Sequence, residues 1–314
     1  MTYTYFIGID IGKEFFEVGC HDTPLQTRRF ANDLQGFSAF AEACAPKLSQ
    51  ALVVMEATGG YEAALLHWLL GRGVSTHRAD PRAASYFIRS LGKRAKTDRL
   101  DACALARYAA ERHGELPLAR MQEEALIQLQ SLLARRGDLV SMRVAESNRL
   151  KHPQYQTLRA SVQTVLQVLG AEIKALEKAI DALVRQSSLL RAKLKIMTNV
   201  PGIGKQTAYT LLGLMPELGQ LNRRQAASLA GCAPHPRDSG KISGYRATTG
   251  GRRTIKRALF MAAMAARNFH PELKGFYQRL ISNGKKPMVA LTAIMRKLVT
   301  ILNAKIRDEI YATT

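Results

Sequence analysis

The strongest constraint on the fold is an apolar run near the start of the chain that one carboxylate interrupts. The run extends from Phe6 to Gly12 and reads Phe-Ile-Gly-Ile-Asp-Ile-Gly. Such a run is typical of a strand buried on both faces of a sheet. A lone buried carboxylate is costly unless it is paired, hydrogen-bonded or bound to a cation. The sequence therefore predicts that Asp10 belongs to a polar site built on a central strand.

Strand and helix patterns alternate through the first third of the chain, which we predict to be one domain over residues 1–116. The predicted strands are Phe6–Gly12, Phe15–Cys20, Arg28–Phe30, Ala51–Glu56 and Val74–Ala79. The predicted helices are Leu34–Cys44, Tyr61–Leu70 and a helix that Pro81 opens, since proline is favoured at a first helical position. This order predicts an α/β sheet that begins with an antiparallel hairpin.

The strand signal disappears in the middle segment, residues 117–197. One predicted helix ends near Leu150 before Pro153, and Arg136 and Arg143 interrupt its apolar seam. Beyond Pro153 the apolar positions alternate in spacing between four and three, which is a heptad pattern with Ser187 as its polar member. The pattern predicts a helical hairpin or an inter-subunit coiled coil. The alternative is a long helix packed on its own domain.

Three later carboxylates complete a candidate metal site with Asp10. Glu56 ends a predicted strand, and Asp98 and Asp101 are three residues apart, on one face of a helix that Thr97 could cap. Adjacent carboxylates repel unless they share a cation. Mg²⁺ held by carboxylates can activate water and stabilise a leaving phosphodiester oxygen. The four acids therefore predict a Mg²⁺ site, with Mn²⁺ as an alternative. Taken singly, each acid is better explained as a cap or surface charge.

The charge of the chain predicts a polyanionic partner. Lys and Arg number 46 against 25 Asp and Glu, a net charge of +21. Residues 201–314 carry nineteen of these cations against five acids, a difference of +14. Phosphate neutralisation and counterion release favour nucleic acid over the competing membrane surface, and we expect no membrane span because apolar runs are too short. Four scattered cysteines and a strand pattern at the very start predict a reduced, cytoplasmic location without a leader.

The last third, residues 198–314, is predicted to be mainly α-helical. It opens with Pro-Gly-Ile-Gly-Lys at 201–205, which is typical of the hairpin of a helix-hairpin-helix. Gly202 and Gly204 would let backbone amides approach a phosphate at the start of the next helix, and Lys205 would add a charge. A Walker phosphate loop is excluded by the spacing. The alternative is a plain turn between helices.

A polar loop follows, from Gly231 to a helix that begins near Thr254. Ser239 lies between Arg237 and Lys241, and Arg252 and Arg253 precede the helix. Cations can neutralise a phosphate that a serine attacks and stabilise the transition state. Ser243 and Tyr245 are rival nucleophiles and His235 is a candidate base in the same loop. The alternative is that Ser239 and the following glycine only provide a flexible turn.

With these motifs in hand, the chain resembles the DEDD transposases of the IS110 family of bacterial insertion sequences, which are relatives of Piv-type DNA invertases. The resemblance covers nearly the whole length. It is carried by five segments in order: Ile7–Asp10, Met55–Tyr61, Lys96–Ala102, Pro201–Gly204, and the stretch from Ala233 through Ser239 to Arg253.

The resemblance implies a RuvC-like, ribonuclease H-like fold in which Asp10, Glu56, Asp98 and Asp101 hold Mg²⁺. It implies a C-terminal transposase domain whose Ser239 attacks the DNA backbone and becomes a phosphoserine. It also implies donor and target double-stranded DNA, a structured bridge RNA as guide, and a dimer or tetramer in which sites from different subunits combine. The location would be a bacterial cytoplasm.

Three other functions fit parts of the sequence. A Holliday-junction endonuclease would use only the four acids and water, and would form no covalent adduct. An actin-like ATPase would match the strand around Asp10 but requires later phosphate and adenosine motifs that the sequence lacks. A binding-only nucleic-acid protein would keep the acids as structural groups.

Overall fold

The computed structural model describes residues 2–21, 27–57, 59–92, 97–235, 238–239, 242–243 and 247–311. The chain divides into two compact units, Met1–Gln122 (unit 1) and Glu123–Thr314 (unit 2). The predicted middle segment, residues 117–197, lies mostly within unit 2. That it acts as a separate linker stays a prediction. No helix in the described part of the chain has the length and apolar character needed to cross a membrane.

Unit 1 is a mixed five-stranded sheet with helices on both faces, as the sequence predicted. Its strands are β1 Tyr5–Ile11, β2 Phe15–Cys20, β3 Arg28–Ala31, β4 Ala51–Glu56 and β5 Ser75–Ala79. Its helices are α1 Leu34–Leu48, α2 Ala63–Gly71, α3 Pro81–Ser90 and α4 Asp98–Arg112. The strand order is β3-β2-β1-β4-β5; β1 pairs antiparallel with β2 and parallel with β4.

Alternation along β1 sends its side chains to two different cores. Ile7 and Ile9 pack with Phe37 and Phe40 of α1 on one face. On the other face, Gly8 leaves no room for a side chain, because a Cβ there would lie 2.1 Å from the carbonyl oxygen of Ala102. Gly8 therefore lets the backbone of α4 rest directly on the sheet. Gly19 on β2 does the same, since its Cβ would lie 2.7 Å from a backbone nitrogen of α4.

Unit 2 is mainly helical. Its helices are α5 Glu124–Lys151, α6 Arg159–Gln186, α7 Ser188–Thr198, α8 Lys205–Leu214, α9 Arg223–Leu229, α10 Arg253–Phe269, α11 Pro271–Ser282 and α12 Pro287–Ile306, with two short strands, β6 Asp238–Ser239 and β7 Ile242–Ser243. One core joins α7, α8, α10 and α12 with the ends of α5 and α6 that lie nearest to them.

Helices α5 and α6 pack on each other as a hairpin, joined by a short 3-10 turn over Pro153–Leu158. The far part of the hairpin has a small core of its own around Leu139, Leu169 and Ile173. Arg136, which interrupted the predicted seam, donates to Glu177 across the hairpin at 2.6 and 2.9 Å. The intramolecular hairpin is thus present, and a coiled coil between subunits stays a prediction.

The heptad pattern does not form one continuous helix. The helix is interrupted at Ser187, between α6 and α7. Ser187 caps α7 by accepting a hydrogen bond from the Leu190 amide at 3.3 Å. Its hydroxyl competes with the backbone for hydrogen bonds, so serine favours a helix start over a helix interior. The one polar member of the seam was therefore the signal for the break.

Candidate functional site

Asp10 and Glu56 lie side by side at the carboxyl ends of two neighbouring parallel strands. β1 and β4 pair in register through Ile9 and Met55, and the two acids are the next residues on their strands. Side chains alternate along a strand, so Asp10 lies on the same face as Gly8, the face that α4 covers. Adjacent strands are about 4.8 Å apart, which brings two of the four predicted ligands within reach of one another.

The first turn of α4 supplies the other two acids. Thr97 caps this helix by accepting from the Leu100 amide at 3.3 Å, and Asp98 and Asp101 follow in the first turn. Acidic residues are stabilising there because of the helix dipole. Asp98 and Asp10 line one shallow cavity of about 340 Å³. The contact of α4 with Gly8 is what directs its first turn toward the end of β1.

A preformed cage of three ligands is not observed among the described residues: no three His, Cys, Asp or Glu side chains are arranged to hold a metal ion. Asp10, Glu56 and Asp101 each have interactions within the protein. Mg²⁺ is nonetheless commonly bound by only one or two carboxylates, with waters and substrate phosphates completing its shell. The oxygen donors and their pairwise placement fit that mode of binding.

Two residues that the sequence analysis missed extend the acidic site. Glu17 on β2 is the register partner of Asp10, and Arg29 on β3 is the register partner of Glu17. Register partners share a face, so Arg29, Glu17, Asp10 and Glu56 form one row across the sheet. For Glu17 the signal was present in the sequence, since a tight hairpin after Gly12 fixes the pairing of the first two strands.

The Arg29–Glu17 pair brings a cation to the acidic cavity. Arg29 Nε donates to Glu17 Oε1 at 2.7 Å, and both residues line the cavity with Asp10 and Asp98. The Arg29 side chain is 58% exposed, whereas that of Glu17 is 13% exposed. An exposed guanidinium held by a more buried carboxylate is well placed to contact an incoming phosphate.

An ion pair with a buried carboxylate fixes the loop that follows Glu56. Glu62, which is fully buried, accepts from the Gly60 amide at 3.0 Å and from Arg78 Nε on β5 at 2.9 Å. Gly60 has a φ of 98°, a conformation that favours glycine. Glu62 was not predictable because its partner lies 16 residues away, and the strand pattern that predicts β5 does not show that Arg78 faces the loop after Glu56.

The described residues around Ser239 pair as two short antiparallel strands, whereas the sequence predicted a polar loop. Pro234 forms a bridge with Thr248, and the His235 amide donates to the Ala247 carbonyl at 3.1 Å. Farther out, Ser239 of β6 pairs with Ile242 of β7. The prediction failed because pairs this short leave no detectable alternation in the sequence. The backbone of Ser239 thus lies at the last described pair before the tip.

A contact between glycines closes the base of this hairpin. Gly251 has a φ of 72°, and a Cβ there would lie 2.2 Å from the backbone nitrogen of Gly231. Lys256 on α10 then donates to the Thr248 carbonyl at 3.1 Å. The two ends of the hairpin segment, at Gly231 and Gly251, therefore lie next to each other. This contact requires glycine at both positions.

The other residues predicted to act around the hairpin, which are cations, rival nucleophiles and a candidate base, have different surroundings. Arg237, Lys241 and the rival nucleophile Tyr245 lie outside the described residues. The backbone of Ser243, the other rival, pairs with that of Asp238. Arg253, in the first turn of α10, and His235 are exposed.

Arg252, by contrast, is engaged inside unit 2. Its two terminal nitrogens donate to Glu217 at 2.6 and 2.8 Å, and one of them also donates to the Leu214 carbonyl at 2.7 Å. Burial raises the pKa of Glu217, but the hydrogen bonds and charge of Arg252, together with a backbone hydrogen bond, outweigh it, so the pKa lies below its ordinary value. A contact between Arg252 and nucleic acid would require this pair to open.

The predicted phosphate-binding turn joins α7 to α8. Gly202 has a φ of 97° and packs on α10, where a Cβ would lie 2.8 Å from the Ala266 nitrogen, whereas Gly204 has open space above it. The Lys205 ammonium is 3.5 Å from Asp181. A hydrogen bond from Tyr209 and nearby cations keep the pKa of Asp181 below its ordinary value. Gly202 is thus needed for packing, and the helix start at Gly204 is the part open to a ligand.

Comparison with known proteins links this architecture to a family. A DEDD transposase model of the IS110 type matches residues 7–160, and a model of the IS116/IS110/IS902 transposase family matches residues 194–278. The pilin gene-inverting protein of Moraxella lacunata is 31% identical over 318 residues, covering 98% of this chain and 97% of that protein. The pilin gene-inverting protein of Moraxella bovis is 30% identical over 317 residues, with the same coverage.

An uncharacterized protein of insertion element IS110 from Streptomyces coelicolor is 33% identical over 150 residues, covering 47% of this chain and 36% of that protein. The matched regions include the acidic row of unit 1 and the Ser239 hairpin of unit 2. The chain therefore belongs to the IS110 family of DEDD transposases and is a DNA transposase or recombinase.

Proposed function

We propose that the protein cuts and rejoins the DNA strands of an insertion sequence with two reactive sites, the four acids of unit 1 and Ser239 of unit 2. The observation that carries the proposal is the register of β1 and β4, which sets Asp10 beside Glu56 on the face that α4 covers. Membership of the transposase family supports DNA as the substrate.

The acids would hold Mg²⁺, with Mn²⁺ as an alternative. Asp10, Glu56, Asp98 and Asp101 would be the ligands, and the bound ion would supply charge stabilisation at the reacting phosphodiester. Arg29 would contact a neighbouring phosphate of the same strand. Glu17 would hold Arg29 in that position, and the buried Glu62 would fix the loop that follows Glu56.

Ser239 would act as the nucleophile. Its hydroxyl oxygen forms a bond to phosphorus while the DNA oxygen leaves with the electrons of the broken bond and takes up a proton; the hydroxyl proton is released. The product is a phosphoserine that a DNA hydroxyl later attacks to rejoin the strand. The support is the position of Ser239 near the tip of a hairpin whose base is fixed by glycines.

The remaining parts of the proposal depend on the resemblance to the family. A structured bridge RNA would specify donor and target DNA, and two or four copies of the chain would combine acids and serines from different subunits. The net charge of +21 supports partners rich in phosphate.

The decisive experiment uses the full chain with its DNA substrate and RNA, with Mg²⁺ or with a chelator, followed by denaturing gels. We expect a protein–DNA adduct in the wild type and in Ser243→Ala, and no adduct in Ser239→Ala. Asp10→Asn should remove metal-dependent cutting. Metal-dependent cutting that survives Ser239→Ala without an adduct would favour the Holliday-junction endonuclease. Omitting the RNA, or treating with ribonuclease, tests guidance separately.

A further inference from the structure

A second basic site lies in unit 2, lined by cations that have no role assigned above. Two other lining residues, Pro234 and Thr248, form the bridge at the base of the Ser239 hairpin. Helix α12 packs against α9 and α11, and between them is a cavity of about 750 Å³. The lining residues on which the inference depends are Arg223, Arg224, Phe276, Met288, Arg296 and Lys297. Cavities of about 300–1,000 Å³ are the usual size for specific small ligands or single nucleotide units.

The charges of this cavity favour a phosphate-bearing ligand. Four of its lining side chains are cations and none is an acid. Arg223, Arg224 and Arg296 are exposed and make no ion pair with an acid among the described residues. Four cations that line one cavity with no acid among the lining residues repel one another, so binding of a polyanion relieves that repulsion and releases counterions.

The apolar lining distinguishes between kinds of nucleic acid. Met288 is 59% exposed and Val289 is 38% exposed, both in the first turn of α12. The Lys297 ammonium lies 4.3 Å from the centre of the Phe276 ring, which holds this cation at the cavity wall. In a duplex the bases are stacked inside the helix, so only the phosphates could contact this cavity and its apolar wall would stay uncovered. An unpaired base can leave its neighbours and cover the apolar wall while its phosphates contact the cations.

We propose that this cavity binds an unpaired nucleotide of a single-stranded nucleic acid segment, with the cations on its phosphates and Met288 and Val289 against its base. The inference depends on the proposed function only in taking nucleic acid as a partner of unit 2. The chemistry is shared by a single-stranded RNA loop and by a DNA strand opened during recombination. The experiment below separates these two sources.

The test measures binding of labelled oligonucleotides to the full chain by fluorescence anisotropy, in a chelator so that no strand is cut. The probes are a single-stranded RNA, the single-stranded DNA of the same sequence, and the DNA duplex. The charge variant is Arg296→Ala with Lys297→Ala. Its matched control is Lys285→Ala with Lys305→Ala, which removes two exposed cations from outside the cavity. The apolar variant is Met288→Ser, and its control is Met261→Ser, 65% exposed on α10.

We expect the charge variant to weaken single-strand binding about tenfold and to reduce the slope of log K against log salt by about 1.4, since each phosphate contact on a single strand contributes about 0.7. Met288→Ser should weaken single-strand binding about threefold to tenfold and leave duplex binding unchanged. Neither control should reproduce these losses. A larger effect on the RNA probe would identify the RNA source, and a larger effect on the DNA probe would identify the opened strand.

Two results would overturn the inference. One is equal loss of single-strand and duplex affinity, which would make the cavity part of a duplex backbone surface. The other is single-strand affinity that matches the controls in both cavity variants. Neither result bears on the Ser239 adduct, so failure of this inference and failure of the proposed function are distinguishable.

Discussion

The two units hold their proposed reactive groups in different ways. In unit 1, Asp10 and Glu56 are on central strands of a sheet, and α4 lies directly over them because Gly8 has no side chain. In unit 2, Ser239 lies on a short hairpin whose fixed point is the contact of Gly231 with Gly251 at its base. Unit 1 therefore fixes the groups themselves. Unit 2 fixes the base of the segment that carries Ser239, the proposed nucleophile.

This comparison shows that glycine contacts, and not only the reactive side chains, define both sites. In each unit one backbone lies against another at a distance that any Cβ would prevent. A substitution at such a position moves an entire element, and a displacement of about 1 Å can cost about 100-fold in rate. The largest effects are therefore expected away from the chemistry.

The largest expected effect is that of Gly8→Ala in unit 1. The new methyl group would lie 2.1 Å from the Ala102 carbonyl oxygen and 2.2 Å from the Ala106 nitrogen, so α4 must move off the sheet. We expect a loss of about 3 kcal/mol or more in the free energy of unfolding and a fall of at least about 100-fold in metal-dependent strand cutting. Thermal unfolding and a cleavage assay measure the two effects.

The matched control is Gly114→Ala, in the same unit, where a Cβ would meet nothing within 4 Å. It should change neither measurement appreciably. Equal behaviour of the two variants would mean that α4 is not held to the sheet at Gly8. The explanation of how the first turn of α4 is directed toward Asp10 would then be wrong.

The next effect is that of Gly251→Ala in unit 2. Both the φ of 72° and the 2.2 Å approach to Gly231 oppose a side chain there. We expect the base of the hairpin to open and the yield of the Ser239 adduct to fall about 30-fold to 100-fold, while DNA binding is retained. Gel quantification of the adduct measures the loss.

Gly250→Ala separates packing from backbone strain. Gly250 has a φ of 74°, but a Cβ there would meet nothing within 4 Å. This variant should incur only the left-handed conformational cost of about 1 kcal/mol, with little change in adduct yield. If Gly250→Ala is as harmful as Gly251→Ala, strain alone accounts for the effect and the contact with Gly231 does not matter.

Unit 1 was the more predictable of the two units. Its two central strands, β1 and β4, are apolar, and the structure confirms the initial antiparallel hairpin and the alternation of strands and helices. Asp10 was identifiable because a charge inside a buried strand is costly. Arg29 was missed because its place in the row follows from pairing β3 with β2, and a four-residue strand gives little register information.

The Ser239 segment was harder to predict for a physical reason. Two residue pairs near its tip and one bridge near its base stabilise the hairpin, so its strands have no apolar periodicity. The helix interruption at Ser187 depends on capping, which has a local residue preference. The base of the hairpin at Gly251 depends on a backbone contact, which has none. Long-range backbone contacts such as that of Gly231 with Gly251 leave no pattern in the sequence.

A smaller effect sharpens the description of the acidic row. Arg29→Ala removes the exposed cation that Glu17 holds beside Asp10. Loss of a charged hydrogen bond to phosphate costs about 1.5 kcal/mol, so we expect about a tenfold decrease in cutting efficiency, through a weaker apparent affinity for DNA. Unfolding should change little because the Arg29 side chain is mostly exposed.

Arg107→Ala is the matched control for Arg29→Ala. Arg107 also forms an exposed ion pair in unit 1, with Glu111 at 2.6 Å, but it does not line the acidic cavity. Cleavage should be unaffected. If both variants lower DNA affinity equally, the general positive charge of unit 1 and not the position of Arg29 explains the result.

The smallest expected effect is the pH dependence of the stability that the Arg252–Glu217 pair provides in unit 2. Burial raises the pKa of Glu217, but the hydrogen bonds and charge of Arg252, with a backbone hydrogen bond, together lower it below its ordinary value of 4.5. A carboxyl whose pKa is lowered on folding adds stability above its unfolded pKa and loses it as the pH falls through the folded pKa. The contribution should therefore be present at neutral pH and decline below about pH 4.5.

Glu217→Gln removes this titration. Because both side chains are more than one-third exposed, we expect the variant to lose less than about 1 kcal/mol at pH 7, and the difference from the wild type to shrink as the pH falls below 4.5. Melting temperatures of both full chains from pH 3 to pH 7 provide the measurement. If the difference in melting temperature between the variant and the wild type does not change with pH, the charge of Glu217 contributes nothing measurable to stability. Arg252 would then be held by geometry and not by charge.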